Sequence, residues 1–406
     1  MRRHPAAVTP AGERACALAE ALAAEWAPGA GERDRRARFD PHLLDGVRRG
    51  GLAGCCVPAD LGGLGVDQLR DVMAVVHRLA AADGSLALVV HMHLSSSWSL
   101  ARARDEARAP LLADIARGRA WLCAAVTEAG TNFFHPRATL QAAAGGGWVL
   151  DGTKVFATGS PAATHFSVNA RVVGGAHDNR LAQAIVPAET AGITVVDDWD
   201  GLGMRASGSG VVRFEQVSLP PGALVSPGGP YGVLSPAALC GRAFGNVGNV
   251  TAMAGIATAA CELALQRATG ATRVGAQPLA ERATVRHGLA QLLTDRFALE
   301  AVVDALGARA DEVAGAAGSG APIDEPTARA FMADFQTAKL NVNRLSEAVV
   351  DRALSLAGGS GYTGASPLSR LVRDVRAGQF MQPFSPHEAL GFVGAVAVGA
   401  EPDVEA

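Results

Sequence analysis

Between about Thr9 and Arg119, apolar residues recur at i, i+3 and i+4 in strings such as ERACALAEALAAEWA and DQLRDVMAVVHRLAAADGSLALVVHMHL, and this spacing predicts helices with one buried face. The glycine-proline string VPADLGGLGVD breaks the run and predicts a loop between helices. From about Trp121 to Pro220 the pattern changes. GGWVLDGTKVFATG, HFSVNARVV, LAQAIVPA, GITVVDDW and SGVVRFEQVSLP are short β-branched runs separated by Gly, Pro, Asn and Asp, which predict a compact β domain with turns. From about Ser235 to Gly399 helical periodicity returns in long stretches, interrupted at AGSGAPIDEP. The expected organisation is α+β: an N-terminal all-α domain over 1–120, a middle β-barrel or sandwich domain over 121–234 and a C-terminal four-helix bundle over 235–406. No internal repeat is present.

Composition narrows the function classes. With 406 residues, 49% hydrophobic and 18% charged, the chain has enough apolar material for a large core and is too apolar to be disordered. It has no run of eighteen consecutive apolar residues, so no membrane partner is expected. A net charge of -3 without a basic block argues against nucleic acid. The cysteines Cys16, Cys55, Cys56, Cys123, Cys240 and Cys261 form no CxxC pair and no metal-ligand spacing; they read as buried thiols in a reducing compartment. Glu13 and Glu20 interrupt any N-terminal signal region, so a cytoplasmic location is expected. Lysine occurs only at Lys154 and Lys339, and Lys339 reads as a surface cation on a helix.

Four strings then change the picture. VTEAG at Val126–Gly130, WVLDGTKVFATG at Trp148–Gly159, LGMRASGSGVVRFEQVSLP at Leu202–Pro220 and AGGSGYTGASPLSRLVRDVRA at Ala357–Ala377 resemble, in order and spacing, motifs of the acyl-CoA dehydrogenases and their flavin-dependent relatives. The resemblance implies the acyl-CoA dehydrogenase-like fold and FAD as cofactor. It places Val126, Thr127 and Thr158 at the polar edge of the flavin ring and Phe156 behind the ring. It further implies that Gly358, Gly359 and Gly361 approach the pyrophosphate of a neighbouring subunit's FAD, and hence a homodimer or homotetramer. The arginine and phenylalanine expected at the adenine half fall at Ala271 and Val274, with Arg273 as a substitute, and the expected glutamine falls at Ser355. Gly359, Gly361 and Gly364 also satisfy GxGxxG, but a helical pattern precedes them, whereas the dinucleotide fingerprint follows a strand.

Acyl thioester dehydrogenation needs a base for the α-proton, and the family uses a glutamate. Its two positions fall at Gln382 and at Gly245, next to Asn246; neither holds a carboxylate. His387 and Glu388, beyond two prolines, are the substitute candidates, with starting the last helix as their structural alternative. Phe133 and Phe134 replace the small residues that usually follow VTEAG; with Gly245, Asn246 and Met381 they are expected to line the substrate pocket. The first reading is an oxidoreductase acting on the CH–CH group of an acyl thioester, on CoA or a carrier protein, with an electron-acceptor protein as partner. The alternative is a monooxygenase of the same fold that takes reduced flavin from a reductase and acts on another small molecule, with His135, Ser160 or His387 assisting near the ring. A third reading is a redox-silent flavoprotein. On one helix His91 and His93 would point about 200° apart, so both are assigned to packing or the pocket wall.

Overall fold

Thr9 starts the first helix: its hydroxyl accepts the Gly12 N–H at 3.0 Å, and Pro10 follows where a missing N–H costs nothing. The computed structural model describes residues 4–103, 105–144, 146–271, 273–274, 277–318 and 322–402. The N-terminal helices are α1 (Pro10–Trp26), α2 (Ala30–Arg36), α3 (Asp45–Arg49), α4 (Leu69–Ala82), α5 (Gly84–Arg102) and α6 (Ala109–Ala116). Asp83 divides α4 from α5 in an extended conformation, and its carboxylate caps α5 by accepting the Leu86 N–H at 3.1 Å.

The middle strands are β1 (Leu122–Ala125), β2 (Thr139–Ala142), β3 (Trp148–Lys154), β4 (His165–Val173), β5 (Arg180–Pro187), β6 (Ile193–Val195), β7 (Val212–Leu219) and β8 (Leu224–Pro230). They form one mixed sheet in the order β6-β7-β3-β2-β4-β5-β8, with β1 also on β4. In β7 Val212 and Phe214 face inward, and so do Val217 and Leu219; the register shift opposite β3, with Gln216 at φ +51°, keeps both pairs on one face. One feature of the topology builds the site. β1 runs parallel to β4 at residues 165–168 and β2 runs parallel to it at 171–173, so both ride the same edge of one strand. Residues 126–138 are therefore an excursion that leaves the sheet and returns to the edge it left.

The C-terminal helices are α7 (Pro236–Phe244), α8 (Val247–Thr269), α9 (Ala283–Gly318), α10 (Glu325–Ala357), α11 (Pro367–Asp374) and α12 (Pro386–Ala397). α4 and α5 from the N-terminal part pack along α8, and one continuous core joins Leu79 and Val89 to Ile256, Phe331 and Phe335. The stretch Pro236–Thr269 is apolar and long enough to cross a bilayer, but 83% of its most apolar window is buried inside the protein, as the central core helix requires. The six cysteines are buried free thiols.

Candidate active site

The excursion after β1 is held from beneath by a buried ion pair. Glu128 accepts the N–H groups of Arg137 at 2.7 Å and Ala138 at 3.1 Å, which closes the excursion on itself. The same carboxylate takes Lys154 Nζ at 2.6 Å, with Lys154 fully buried at the end of β3. Lys154 also donates to the carbonyls of Val126 at 3.3 Å and Asn169 at 2.5 Å. Burial pulls the Lys154 ammonium below its usual range, and Glu128 pulls it back up. An ammonium has three diverging donors on one atom and suits a site of three acceptors; a planar guanidinium does not.

This pinning orients the main chain. The Val126 carbonyl points inward to Lys154 and the Thr127 carbonyl inward to the Val155 N–H at 2.9 Å. In a trans peptide the next N–H points the opposite way, so the Thr127 N–H points away from Lys154 and the Glu128 N–H away from Val155. Beside them, at the end of β3, Phe156 is held at φ +55° and remains 60% exposed, edge-on to Trp199 with ring centres 6.0 Å apart. Two residues on, the buried Thr158 hydroxyl meets Ser209 Oγ at 2.9 Å, which meets Ser207 Oγ at 2.6 Å. Trp199 is anchored through Nε1 to the Met204 carbonyl at 2.8 Å, and the Met204 N–H donates to Asp374 at 2.8 Å. Burial pushes the Asp374 carboxyl up to about 6, against the pull of Arg370 and that N–H.

Elsewhere Asn249, Val250, Lys339, Asn343, Gly378, Met381 and Gln382 converge around a narrow crevice. Lys339 is not the surface cation its helix position suggested. It is 4% exposed and donates to the carbonyls of Met381, Pro383 (3.0 Å) and Phe384 (2.7 Å). Gln336, one turn earlier on α10, donates to the Pro383 carbonyl at 3.1 Å, so the loop bearing Gln382 hangs from α10 at two points. Desolvation pulls Lys339 down to about 8; Glu388 opposes this and Arg242 adds to it. None of the residues lining the crevice is a carboxylate. Glu388 instead completes a capping box at the start of α12, accepting the Ser385 N–H at 2.5 Å, and His387 is exposed on the first turn of that helix. The geometry therefore assigns both substitute bases to the helix start.

The other candidate residues separate. Phe134 is buried in the core towards Phe384, while half-buried Phe133 lies under Arg242, whose guanidinium sits 4.4 Å from its ring centre. Gly245 and Asn246 form the α7–α8 junction: Gly245 accepts Ser95 Oγ at 2.9 Å, and Asn246 bridges the Arg242 carbonyl and Asn249. His93 is a packing residue, stacked on Trp121 and bonded to the Ala53 carbonyl and the Leu122 N–H. His91 is buried against Gly248, and burial pulls it down to about 4. Ser160 is buried at the turn after Thr158, its hydroxyl 3.4 Å from the Gly208 carbonyl, and His135 bonds Asn132 at 3.1 Å. Ser355 is exposed and spends its hydroxyl on the Asp351 carbonyl at 3.0 Å. Gly358 and Gly359 are exposed with open space at the Cβ position; at Gly361 a Cβ would collide with Ala357. The Arg273 side chain lies outside the described residues, as do those of residues 226, 227 and 274. The GxGxxG string follows α10, a helix, and is not a dinucleotide fingerprint.

Trp199, Ser207, Ser209, Asn249 and Asn343 escaped sequence reasoning. The first three lie in or beside LGMRASGSG, so the hydroxyls were visible; their convergence on Thr158 was not. Together the Thr158 hydroxyl, held by Ser209, and the exposed Phe156–Trp199 face suit a planar ring with a polar edge, and a flavin fits that set.

Comparison with known proteins agrees. "Acyl-CoA dehydrogenase" family models match in sequence order: the N-terminal domain over residues 15–119, the middle domain over 123–217 and the C-terminal domain over 247–386. L-evernosamine nitrososynthase of a Micromonospora species is 38% identical over 98% of this chain and 93% of its own length. Amino sugar nitrososynthase DnmZ of Streptomyces peucetius is 36% identical over 96% and 94%. The X-ray structure of a KijD3 in complex with FMN and dTDP-3-amino-2,3,6-trideoxy-4-keto-3-methyl-D-glucose superposes with a TM-score of 0.89 at 35% identity, covering 100% of this chain and 98% of that one. These findings overturn the first sequence reading. The relatives that are 36–38% identical over nearly the whole chain are nitrososynthases, and the crevice lacks the carboxylate that dehydrogenation of an acyl thioester demands.

Proposed function

The chain belongs to the acyl-CoA dehydrogenase family and is a flavin-dependent oxidoreductase within it; from that premise we propose that it oxidises the primary amine of a nucleotide-linked amino sugar to a nitroso group. The observation that carries this reading is the crevice without a carboxylate but with a buried ammonium. Oxygen transfer to an amine requires the nitrogen lone pair. A carboxylate beside the amine would stabilise its protonated form, whereas Lys339 disfavours a second positive charge. The Gln382 carboxamide oxygen can accept an amine N–H and orient the nitrogen without protonating it.

Reduced flavin with O2 supplies an electrophilic oxygen atom. In the first turn R–NH2, O2, two electrons and two protons give R–NHOH and water. A second turn with the same inputs gives R–N(OH)2 and water, and loss of a further water leaves R–N=O. The protein's part is to face the ring with Phe156 and Trp199, to hold the ring edge through Thr127 and the Thr158–Ser209–Ser207 hydroxyl chain, and to keep the amine neutral. We assign reduction of the flavin to a separate reductase. FMN is the favoured cofactor: the adenine-side positions carry Ala271, Val274 and a Ser355 already bonded to its own helix, and a relative of this fold binds FMN.

The test is to supply the purified protein with FMN, a flavin reductase, O2 and a dTDP-linked amino sugar, and to read the product by mass spectrometry. Gain of one oxygen and loss of two hydrogens is the expected result; an unaltered amine while flavin turns over would sink the reading. A smaller effect follows at the ring edge. Thr158→Ala removes one neutral hydrogen bond, about 0.5–1.5 kcal/mol, so FMN binding should weaken roughly two- to tenfold. Fluorescence titration measures this, and an unchanged affinity and spectrum would exclude Thr158 from the flavin contact.

A further inference from the structure

Asn249, in the first turn of α8, lines the crevice, is 7% exposed and leaves its side-chain oxygen buried without a hydrogen-bond partner. The orientation of this carboxamide is set by a chain of three groups. The Arg242 carbonyl can only accept, so Asn246 turns its Nδ2 towards it, at 2.7 Å. Asn246 Oδ1 is left to accept, and Asn249 Nδ2 donates to it at 2.8 Å. Asn249 Oδ1 is thereby fixed as the acceptor at the other end of the amide. A buried acceptor left unfilled is costly, and a donor brought by a ligand removes the cost.

One other buried carboxamide oxygen among the described residues lacks a partner, that of Gln336, and it does not line the crevice. Lys339 cannot fill Asn249, because its ammonium is spent on the carbonyls of Met381, Pro383 and Phe384. The Asn343 oxygen is packed against Gly378, where a Cβ would lie 2.3 Å from it. Gln382, half-buried on the same crevice, has an unengaged carboxamide among the described residues. The crevice therefore carries two free amide oxygens, one on α8 and one on the loop hung from α10.

Two acceptors suit the chemistry of an amine oxidised twice. R–NH2 has two N–H donors and one lone pair, and acceptors that take both N–H groups leave the lone pair as the one free direction. R–NHOH has one N–H and one O–H, so it still offers two donors. R–N=O offers none. We propose that Asn249 and Gln382 form an acceptor pair that holds the amine and then the hydroxylamine through both turns, and that releases the nitroso product because it has no donor left. This rests on the reading that the substrate is a primary amine, and its test is separate from turnover.

The experiment uses the FMN-loaded protein without reductant, so that nothing turns over, and measures binding by calorimetry at a pH where the hydroxylamine is neutral. The probes are a dTDP-linked hydroxylamino sugar and its nitro analogue, which has no N–H or O–H at that position. Wild type is expected to bind the nitro analogue roughly four- to a hundredfold more weakly, from two neutral hydrogen bonds at two- to tenfold each. Asn249→Leu, which keeps the shape and loses the acceptor, should weaken the hydroxylamine roughly two- to tenfold and leave the nitro analogue unchanged. In turnover the same variant should release hydroxylamine in a correspondingly higher ratio to nitroso product. A merely structural role for Asn249 would move both probes together. Retained FMN occupancy and melting temperature show that the variant is folded; where it does not fold, the wild-type preference decides alone. Equal binding of the two probes by wild type, or a variant that weakens both alike or neither, would overturn the proposal. A wild-type preference for the hydroxylamine with an amine left unoxidised in turnover would overturn the nitroso reading and leave the acceptor pair as a binding site. Nitroso formation without that preference would do the reverse.

Discussion

Gln382→Glu is expected to lower kcat/KM for amine oxidation at neutral pH by roughly ten- to a hundredfold and to move the basic rise of the pH profile upward. The substitution is nearly isosteric, so packing around Met381 and Gly378 is retained while a negative charge enters the crevice. An opposite charge within about 4–6 Å raises the proton affinity of an amine by roughly one to three units. Each unit removes about nine-tenths of the reactive neutral form at a fixed pH below the amine's own range. Lys339 lines the same crevice and offsets part of the new charge, which places the expectation at the lower end of that span. The loss should vanish at high pH, where the amine is neutral in either protein. The check is the pH dependence of kcat/KM in both proteins. A variant whose profile coincides with wild type would show that the amine does not sit beside residue 382.

The second large effect is structural and reaches the flavin indirectly. Lys154→Met should destabilise the protein by about 3–5 kcal/mol, because Glu128 then keeps its charge in a buried site with only the Arg137 and Ala138 N–H groups to compensate it. Loss of Lys154 also frees the Val126 carbonyl, so the orientation of the next N–H is no longer enforced and flavin should dissociate more readily. The double variant Glu128→Gln with Lys154→Met removes both charges and should recover part of the stability, though not the orientation of the Val126 carbonyl. Denaturation midpoints and flavin retention on a desalting column separate the two consequences. If the single variant melts with wild type and keeps its flavin, the pair is not what holds the excursion.

The two lysines illustrate how unevenly the sequence could be read. Lys154 lay within a recognised string, so its importance was legible. Lys339 lay on an amphipathic helix, and helical periodicity alone made it a surface cation. The three carbonyls it serves belong to residues 381, 383 and 384, more than forty positions away, and no local pattern connects them. Glu388 shows the opposite case: a serine three residues before a glutamate is a local signal for a capping box, and the structure contains that box.

By itself the sequence determined the succession of helical, strand and helical segments, the family, the absence of a carboxylate at both expected base positions and the string that contains Thr158. These depend on propensity, periodicity and short motifs, which act over a few residues. Only the tertiary structure decided that β1 and β2 share one edge of β4, that Asn249, Lys339, Asn343 and Gln382 converge, and that Phe133 lies under the Arg242 guanidinium. Those placements follow from helix packing and sheet register between segments far apart in the chain, where burial and electrostatic pairing, rather than neighbouring residues, set the energy.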